Sequence, residues 1–348
     1  MSTAPTGSPG SAFGGARPLP TDAELVVALR SSLGGSHGDD LKLVGRRPNP
    51  YQATVPTEIA SIRTRGHTQQ LFCKYGRDFS QPAAAVADKL GCGLSALHGG
   101  VAYEADVYRR CLVPFGAVPQ RSWPGYRDPS GGETWLFLEY VPAHESWDQS
   151  AVLVPAARWI GELHAAYESG ARHDALVQLD RPGPRYYLFW GGELMRNRHS
   201  IPLDTEWLET AAARLDEAAG VLSAAGRTLV HGDFYADNAL LVAGTLYPVD
   251  WSWAAIGAGE MDLAMLVEGW PDAAMEACVQ AYAGGRWPAG PAADFERTFA
   301  AAQLALAFRL ACVPRAWTGT PKQVRRLERL RRYAQQYARP PAPATSTP

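Results

Sequence analysis

The pattern of apolar residues changes character near residue 142, and this change constrains the fold more than any other feature of the chain. Upstream, Leu41–Val44, Glu58–Thr64, Gln70–Tyr75 and Thr134–Val141 are short runs with partial two-residue alternation, punctuated by Pro, Gly and Asn, and predict strands. Thr21 and Glu24 have capping-box spacing ahead of Leu25, Leu29 and Leu33, so a helix is expected to precede the first strand. Two more helices are expected at Ala83–Leu90 and Tyr103–Leu112. Downstream, Val154–Tyr167, Leu208–Ala225, Met261–Glu268, Met275–Tyr282 and Phe295–Val313 carry apolar residues at helical spacing. Only Leu229–Val230 and Thr245–Val249 interrupt them with β-like runs. The expected class is α+β, with a small β-rich part over residues 21–140 and a larger helical part over 141–339. Residues 1–20 and 340–348 offer almost no apolar surface to bury and are expected to be disordered arms.

With 348 residues, 46% of them hydrophobic, the chain has enough material for two lobes. Its formal charge of −2 provides no global positive field to recruit nucleic acid or an anionic membrane. No apolar run reaches the roughly 18 residues of a membrane span, and the N-terminus lacks the basic-then-apolar pattern of a signal peptide. The five cysteines are widely spaced with no C-x-x-C pair, which argues against a disulfide framework or a zinc knuckle. A reducing cytoplasm is the expected compartment.

Chemistry concentrates between Leu229 and Ala264. An apolar pair leads into His231-Gly232-Asp233, Asn238 follows five residues after Asp233, and Asp250 closes a second apolar strand. Phosphoryl transfer from ATP needs a carboxylate to orient the attacking hydroxyl, and an amide oxygen plus a second carboxylate to hold Mg²⁺ against the phosphates. Asp233, Asn238 and Asp250 supply those groups in that order.

The segment H231-G-D-F-Y-A-D-N238, followed by V249-D-W251 and D262-L-A264, resembles the aminoglycoside phosphotransferase and choline kinase family, which shares the protein-kinase fold. The resemblance extends upstream to Lys74 in L-F-C-K-Y, Glu104 in Y-E-A-D-V-Y-R-R, and W135-L-F-L-E-Y-V141, and covers roughly residues 41–310. It implies a two-lobe kinase-like fold and an ATP- and Mg²⁺-dependent enzyme. Lys74 is implied to neutralise the phosphates, fixed by Glu104 with Asp106 as the rival partner. Glu139 and Val141 are implied as hinge groups facing adenine. His231 and Asp262 are implied as structural supports of the catalytic loop. One departure stands out: where protein kinases have a glycine-rich phosphate loop, this chain has G45-R-R-P-N-P-Y-Q-A-T-V-P56. Backbone groups near Gln52–Thr54, Thr54 among them, are the expected phosphate cover. His164, on an apolar helix, reads as a core residue.

The acceptor is open at this stage. Tyr186–Trp190, with Glu193, Asp204, Glu206 and Glu209, suits a polyhydroxylated or cationic small molecule such as an aminoglycoside or amino sugar, and equally reads as a helix anchor with a solvated acidic face. The alternatives are a peptide Ser or Thr, and a nucleotide-binding pseudokinase acting as a partner or regulator. Residues 322–339 predict a basic amphipathic helix that could hold an acidic peptide, a partner protein or RNA, or simply face solvent.

Overall fold

The computed structural model describes residues 19–34, 40–49, 55–77, 100–127, 132–142, 149–201, 204–312 and 319–338. The expected helix at Ala83–Leu90, the expected phosphate cover at Thr54, and nearly all of both terminal arms lie outside these residues.

Helix α1 (Asp22–Leu33) begins at a capping box in which Thr21 and Glu24 satisfy one another's backbone N–H groups. Strands β1 (Lys42–Pro48), β2 (Thr57–Thr64), β3 (His67–Arg77), β4 (Ser122–Arg127) and β5 (Glu133–Glu139) form one antiparallel sheet in the order β1-β2-β3-β5-β4. Residues Gly45–Pro48 of the expected phosphate-covering segment belong to β1, whose pairing with β2 shifts register at Gly45. Alternation along the strands sorts the side chains. Leu71, Cys73, Tyr75, Trp135 and Phe137 pack with Leu25 and Leu29 of α1 on one face. Phe72, Leu136 and Leu138 face the other way, toward helix α2 (Gly100–Val107), which runs on through a π-helical turn at Tyr108–Leu112. Lys74, between Cys73 and Tyr75, therefore points off the sheet toward α2.

The helical part is built on α3 (Gln149–Tyr167), followed by α4 (Gly170–Asp174), α5 (Pro184–Arg196) and α6 (Trp207–Ala224). Two two-stranded sheets come next: β6 (Arg227–Val230) pairs with β9 (Ala255–Ala258), and β7 (Ala239–Val242) with β8 (Thr245–Pro248). Helices α7 (Glu260–Leu266), α8 (Asp272–Arg286), α9 (Phe295–Ala311) and α10 (Pro321–Tyr337) complete the chain. One apolar core joins α2 and the underside of the sheet to α3 and α8, and a second unites α5, α6, α9 and α10. Among the described residues no helix is long and apolar enough to cross a membrane. Cys73, Cys111, Cys278 and Cys312 are free thiols.

Helices α3 and α8 approach so closely that a side chain at Gly161 would meet the carbonyl of Tyr282. Gly161→Ala is expected to destabilise the protein by about 1–3 kcal/mol, the usual cost of an overpacked contact, when measured by urea denaturation. An unchanged midpoint would show that the two helices are not held at this distance.

Candidate active site

The site begins with Lys74 on β3. It is 8% exposed, and its ammonium lies 2.8 Å from Glu104 Oε2 on α2 and 2.9 Å from Asp250 Oδ1, which belongs to the helical part. Burial works against the lysine charge, and the two carboxylates outweigh it, so Lys74 titrates above the ordinary lysine range. Glu104, almost fully buried, is pushed up to about 7 by burial against the pull of Lys74. Burial also opposes ionisation of Asp250, but Lys74 and a 2.8 Å hydrogen bond from Ser252 Oγ hold it below the usual carboxylate range. Asp106, the rival to Glu104, pairs instead with Arg109 and Arg110 on its own helix.

Helix α2 docks on the segment after Asp250. The Trp251 N–H donates to Glu104 Oε1 at 3.3 Å, and the Tyr103 hydroxyl donates to the Ala254 carbonyl at 2.5 Å. Asp250 itself has φ +65°, a left-handed conformation that aspartate adopts more readily than most residues and that is found where backbone strain serves a site.

The loop after β6 carries Asp233 and Asn238. Asn238 Nδ2 donates to the Asp233 carbonyl at 2.8 Å and to Asp233 Oδ2 at 3.2 Å. With its nitrogen committed, the oxygen of the Asn238 amide is the atom suited to a metal. The Val249 N–H bonds to the Asn238 carbonyl at 2.9 Å, which ties this loop to the strand end that carries Asp250. Burial raises the pKa of Asp233 above the ordinary carboxylate value, although Arg309, with Nη2 3.7 Å from Asp233 Oδ1, pulls it the other way.

A buried brace supports the loop. Asp262, fully enclosed, accepts the N–H of His231 at 2.7 Å and of Gly232 at 2.9 Å, and lies 3.2 Å from His164 Nε2. His164 Nδ1 sits 3.0 Å from the Tyr282 hydroxyl, which receives a bond from Arg286 Nη1 at 2.6 Å. Donors and acceptors match along this chain when His164 is neutral, with its proton on Nε2 toward Asp262. His231 Nε2 reaches the Val249 carbonyl at 2.9 Å, and its ring lies against Trp251 with centroids 4.5 Å apart. Gly232 has φ +80°, and a Cβ there would strike the Trp253 carbonyl, so glycine is required in His-Gly-Asp.

Not every expected residue appears in its expected setting. The backbone N–H of Glu139 donates to the Arg121 carbonyl at 2.8 Å, and its carbonyl accepts from Gln120 Nε2 at 2.7 Å. The Glu139 backbone groups thus have partners in the Gln120–Arg121 segment ahead of β4, and Val141, the last expected hinge residue, is buried. Asp237, beside Asn238, accepts a hydrogen bond from Gln149. Of the acidic residues expected near an acceptor, Glu193 pairs with Arg196 and Glu209 with Arg198. Arg309 and the Arg286 network with Glu168 and Glu260 were not legible in the sequence; the signal for Arg309 is an arginine within the apolar second half of its helix.

Burial lowers the pKa of His164 below its ordinary value of 6.5. A histidine depressed in the folded state leaves the unfolded chain binding more protons just below pH 6.5, so its contribution to stability is lost as pH falls from there. Wild type is expected to lose stability relative to His164→Gln between pH 6.5 and 5, by up to about 1.4 kcal/mol per pH unit. Parallel pH profiles for the two proteins would contradict the neutral, buried assignment.

The sequence has no significant match among curated proteins. Its fold matches choline kinase LicA from Streptococcus pneumoniae at 14% identity and a TM-score of 0.53, covering 91% of this chain and 100% of that one; LicA has also been solved with AMP. A putative aminoglycoside phosphotransferase from Ralstonia eutropha matches at 15% identity and a TM-score of 0.55, with 91% and 97% covered. Amicoumacin kinase hAmiN, solved with AMP-PNP, Ca²⁺ and Ami, matches at 12% identity and a TM-score of 0.51, with 91% and 94% covered. At these identities the likeness concerns the fold, a sheet-bearing lobe and a helical lobe of the kinase type. The family model described as the phosphotransferase enzyme family matches residues 101–298, more than half of the chain, and the protein belongs to that family.

Proposed function

We propose that the protein transfers the γ-phosphoryl group of ATP, with Mg²⁺, to a hydroxyl group of a small molecule. The observation that carries this reading is the convergence of Lys74, Glu104 and Asp250 from two lobes on one point, with the strand end before Asp250 bonded to Asn238, the partner of Asp233. The AMP, AMP-PNP and Ca²⁺ held by structural neighbours support nucleotide and divalent-metal use.

The donor set fits Mg²⁺. Asp250 is ionised and 40% exposed at its side chain, Asn238 contributes a neutral oxygen, and magnesium is commonly held by one or two carboxylates together with substrate phosphates. Among the described residues no group of three or more His, Cys, Asp or Glu forms a protein-only cage, in keeping with a metal shared with phosphates. When bound, Mg²⁺ would neutralise charge on the phosphates. The protein's own tasks follow from its geometry. Lys74, fixed by Glu104, lies where it can offset the negative charge of phosphates next to Asp250. Asp233, held by Asn238 and Arg309, orients the acceptor hydroxyl and takes its proton. The acceptor oxygen bonds to the γ-phosphorus as the bond to the β–γ bridging oxygen breaks, and ADP leaves with that electron pair.

Asp233→Asn is expected to lower turnover by roughly two to four orders of magnitude while nucleotide affinity persists. Asp250→Ala is expected to abolish Mg²⁺-dependent nucleotide binding, measured by calorimetry. Undiminished turnover in the first variant, or unchanged metal dependence in the second, would remove that residue from its assigned role.

A further inference from the structure

Asp233 borders a cavity of about 520 Å³, within the size range of small-molecule sites. Its walls are Asp233 and Tyr235, Glu268 beyond α7, the end of α9 at Arg309, and the first half of α10 from Lys322 to Arg329. Five of the nine lining residues are cationic and two are carboxylates. Both carboxylates are engaged, Asp233 with Arg309 and Glu268 with Arg329. Arg326 is anchored by donating to the Leu310 carbonyl at 2.9 Å, and among the described residues no carboxylate forms an ion pair with Arg325 or Arg326.

This concentration of charge is costly as a local structure. Lys322, Arg325, Arg326 and Arg329 follow the spacing that places side chains on one face of a helix, where like charges repel. Lys322 also lies in the first turn of α10, where the helix dipole disfavours a cation, and no acidic residue stands in that turn to offset it. Burial, and after it the neighbouring Arg326 and Arg325, push the Lys322 pKa below the ordinary lysine value. Arg329 and Arg326 have partners in Glu268 and the Leu310 carbonyl, which leaves the repulsion among the four cations only partly offset. An anion inside the cavity would offset that repulsion.

We propose that the acceptor is an anionic small molecule, a hydroxyl compound whose phosphate or carboxylate group is held by Arg325, Arg326 and Lys322 while its hydroxyl meets Asp233. The inference rests on the phosphotransferase reading of Asp233. It reverses the charge expected from Glu193, Asp204, Glu206 and Glu209: a polycationic aminoglycoside entering this cavity would meet net repulsion. In the reaction the acceptor gains a second anionic group. Its hydroxyl oxygen bonds to the γ-phosphorus, the β–γ bridging bond breaks, ADP departs, and the hydroxyl proton passes to Asp233 and on to solvent.

The test uses the full chain and two independent readouts. In the first, inorganic phosphate and acetate are titrated separately at ionic strength fixed with chloride, with and without Mg–AMP-PNP, and the thermal midpoint is followed. Wild type should be stabilised by at least one of the two anions. Lys322→Glu/Arg325→Glu, which alters two exposed side chains, and Arg326→Gln should lose that response while melting cooperatively. Equal responses in wild type and both variants, or none in wild type, would overturn the proposal. In the second readout, label transfer from γ-labelled ATP is measured on matched neutral, cationic, phosphorylated and carboxylated hydroxyl compounds, and on acidic Ser/Thr peptides. Label is expected in the phosphorylated or carboxylated members, with acceptor KM raised about tenfold or more in the double variant. Label confined to cationic compounds or to peptides would overturn the proposal. Failure of Mg–AMP-PNP to bind would instead defeat the phosphotransferase reading, while the anion titration still decides the character of the cavity.

Discussion

A lysine ammonium cannot be buried without partners, and the partners available to Lys74 determine how the two lobes meet. The sheet presents Lys74 on the face opposite α1, and no residue of the sheet itself satisfies it. One carboxylate comes from α2 and the other from the end of the β8 segment, so the ion pairs join three separate parts of the chain. Lys74 and Glu104 are the buried pair of this cluster, and removing one of them leaves the other as a buried charge short of a partner. The Trp251 N–H on Glu104 and the Tyr103 hydroxyl on the Ala254 carbonyl reinforce the same junction, which fixes where a nucleotide's phosphates could sit relative to Asp233.

A second interaction holds the other half of the site. Asp262 has no solvent exposure, and it is satisfied by two backbone N–H groups of the His231-Gly232 turn and by His164. Through Tyr282 and Arg286 this brace reaches the ion pairs with Glu168 and Glu260, so the loop bearing Asp233 rests on hydrogen bonds deep in the α3–α8 core. Asp233 and Asn238 are thereby held by a rigid scaffold, although both lie on a connecting segment.

The parts of this arrangement that were legible in the sequence lie in short motifs or strong periodicity. His231 to Asn238, Asp250 and Asp262 are close enough in sequence for their order to state their relationship, and α1 announces itself by its capping box. The parts that were not legible depend on partners distant in sequence or on weak local signals. Strand β4 contains Pro124 and Gly125 and has a register shift between Trp123 and Tyr126, so its sequence reads as a turn while β5 holds it as an edge strand. Strand β9, Ala255–Ala258, has poor strand propensity and exists because β6 pairs with it. Helix α5 has glycines at 191 and 192, and the first of these lies against Leu215 of α6. The basic face of α10 was visible, but its position beside Asp233 follows from packing against α9 and could not be read from spacing.

The proposed site thus combines Lys74 and Asp250, assigned to the phosphates, with a cationic cavity beside Asp233 whose charge is opposite to that suggested by Glu193 in α5 and the acidic residues after it. Both parts presuppose that a metal–nucleotide lies between Lys74 and Asp233. The most direct measurement is anomalous diffraction from crystals grown with Mn²⁺ and AMP-PNP. The account predicts a manganese peak about 2.1 Å from carboxylate oxygen of Asp250 and from the amide oxygen of Asn238, with phosphate oxygens next to Lys74. A nucleotide bound elsewhere, or a metal that touches neither Asn238 nor Asp250, would contradict it.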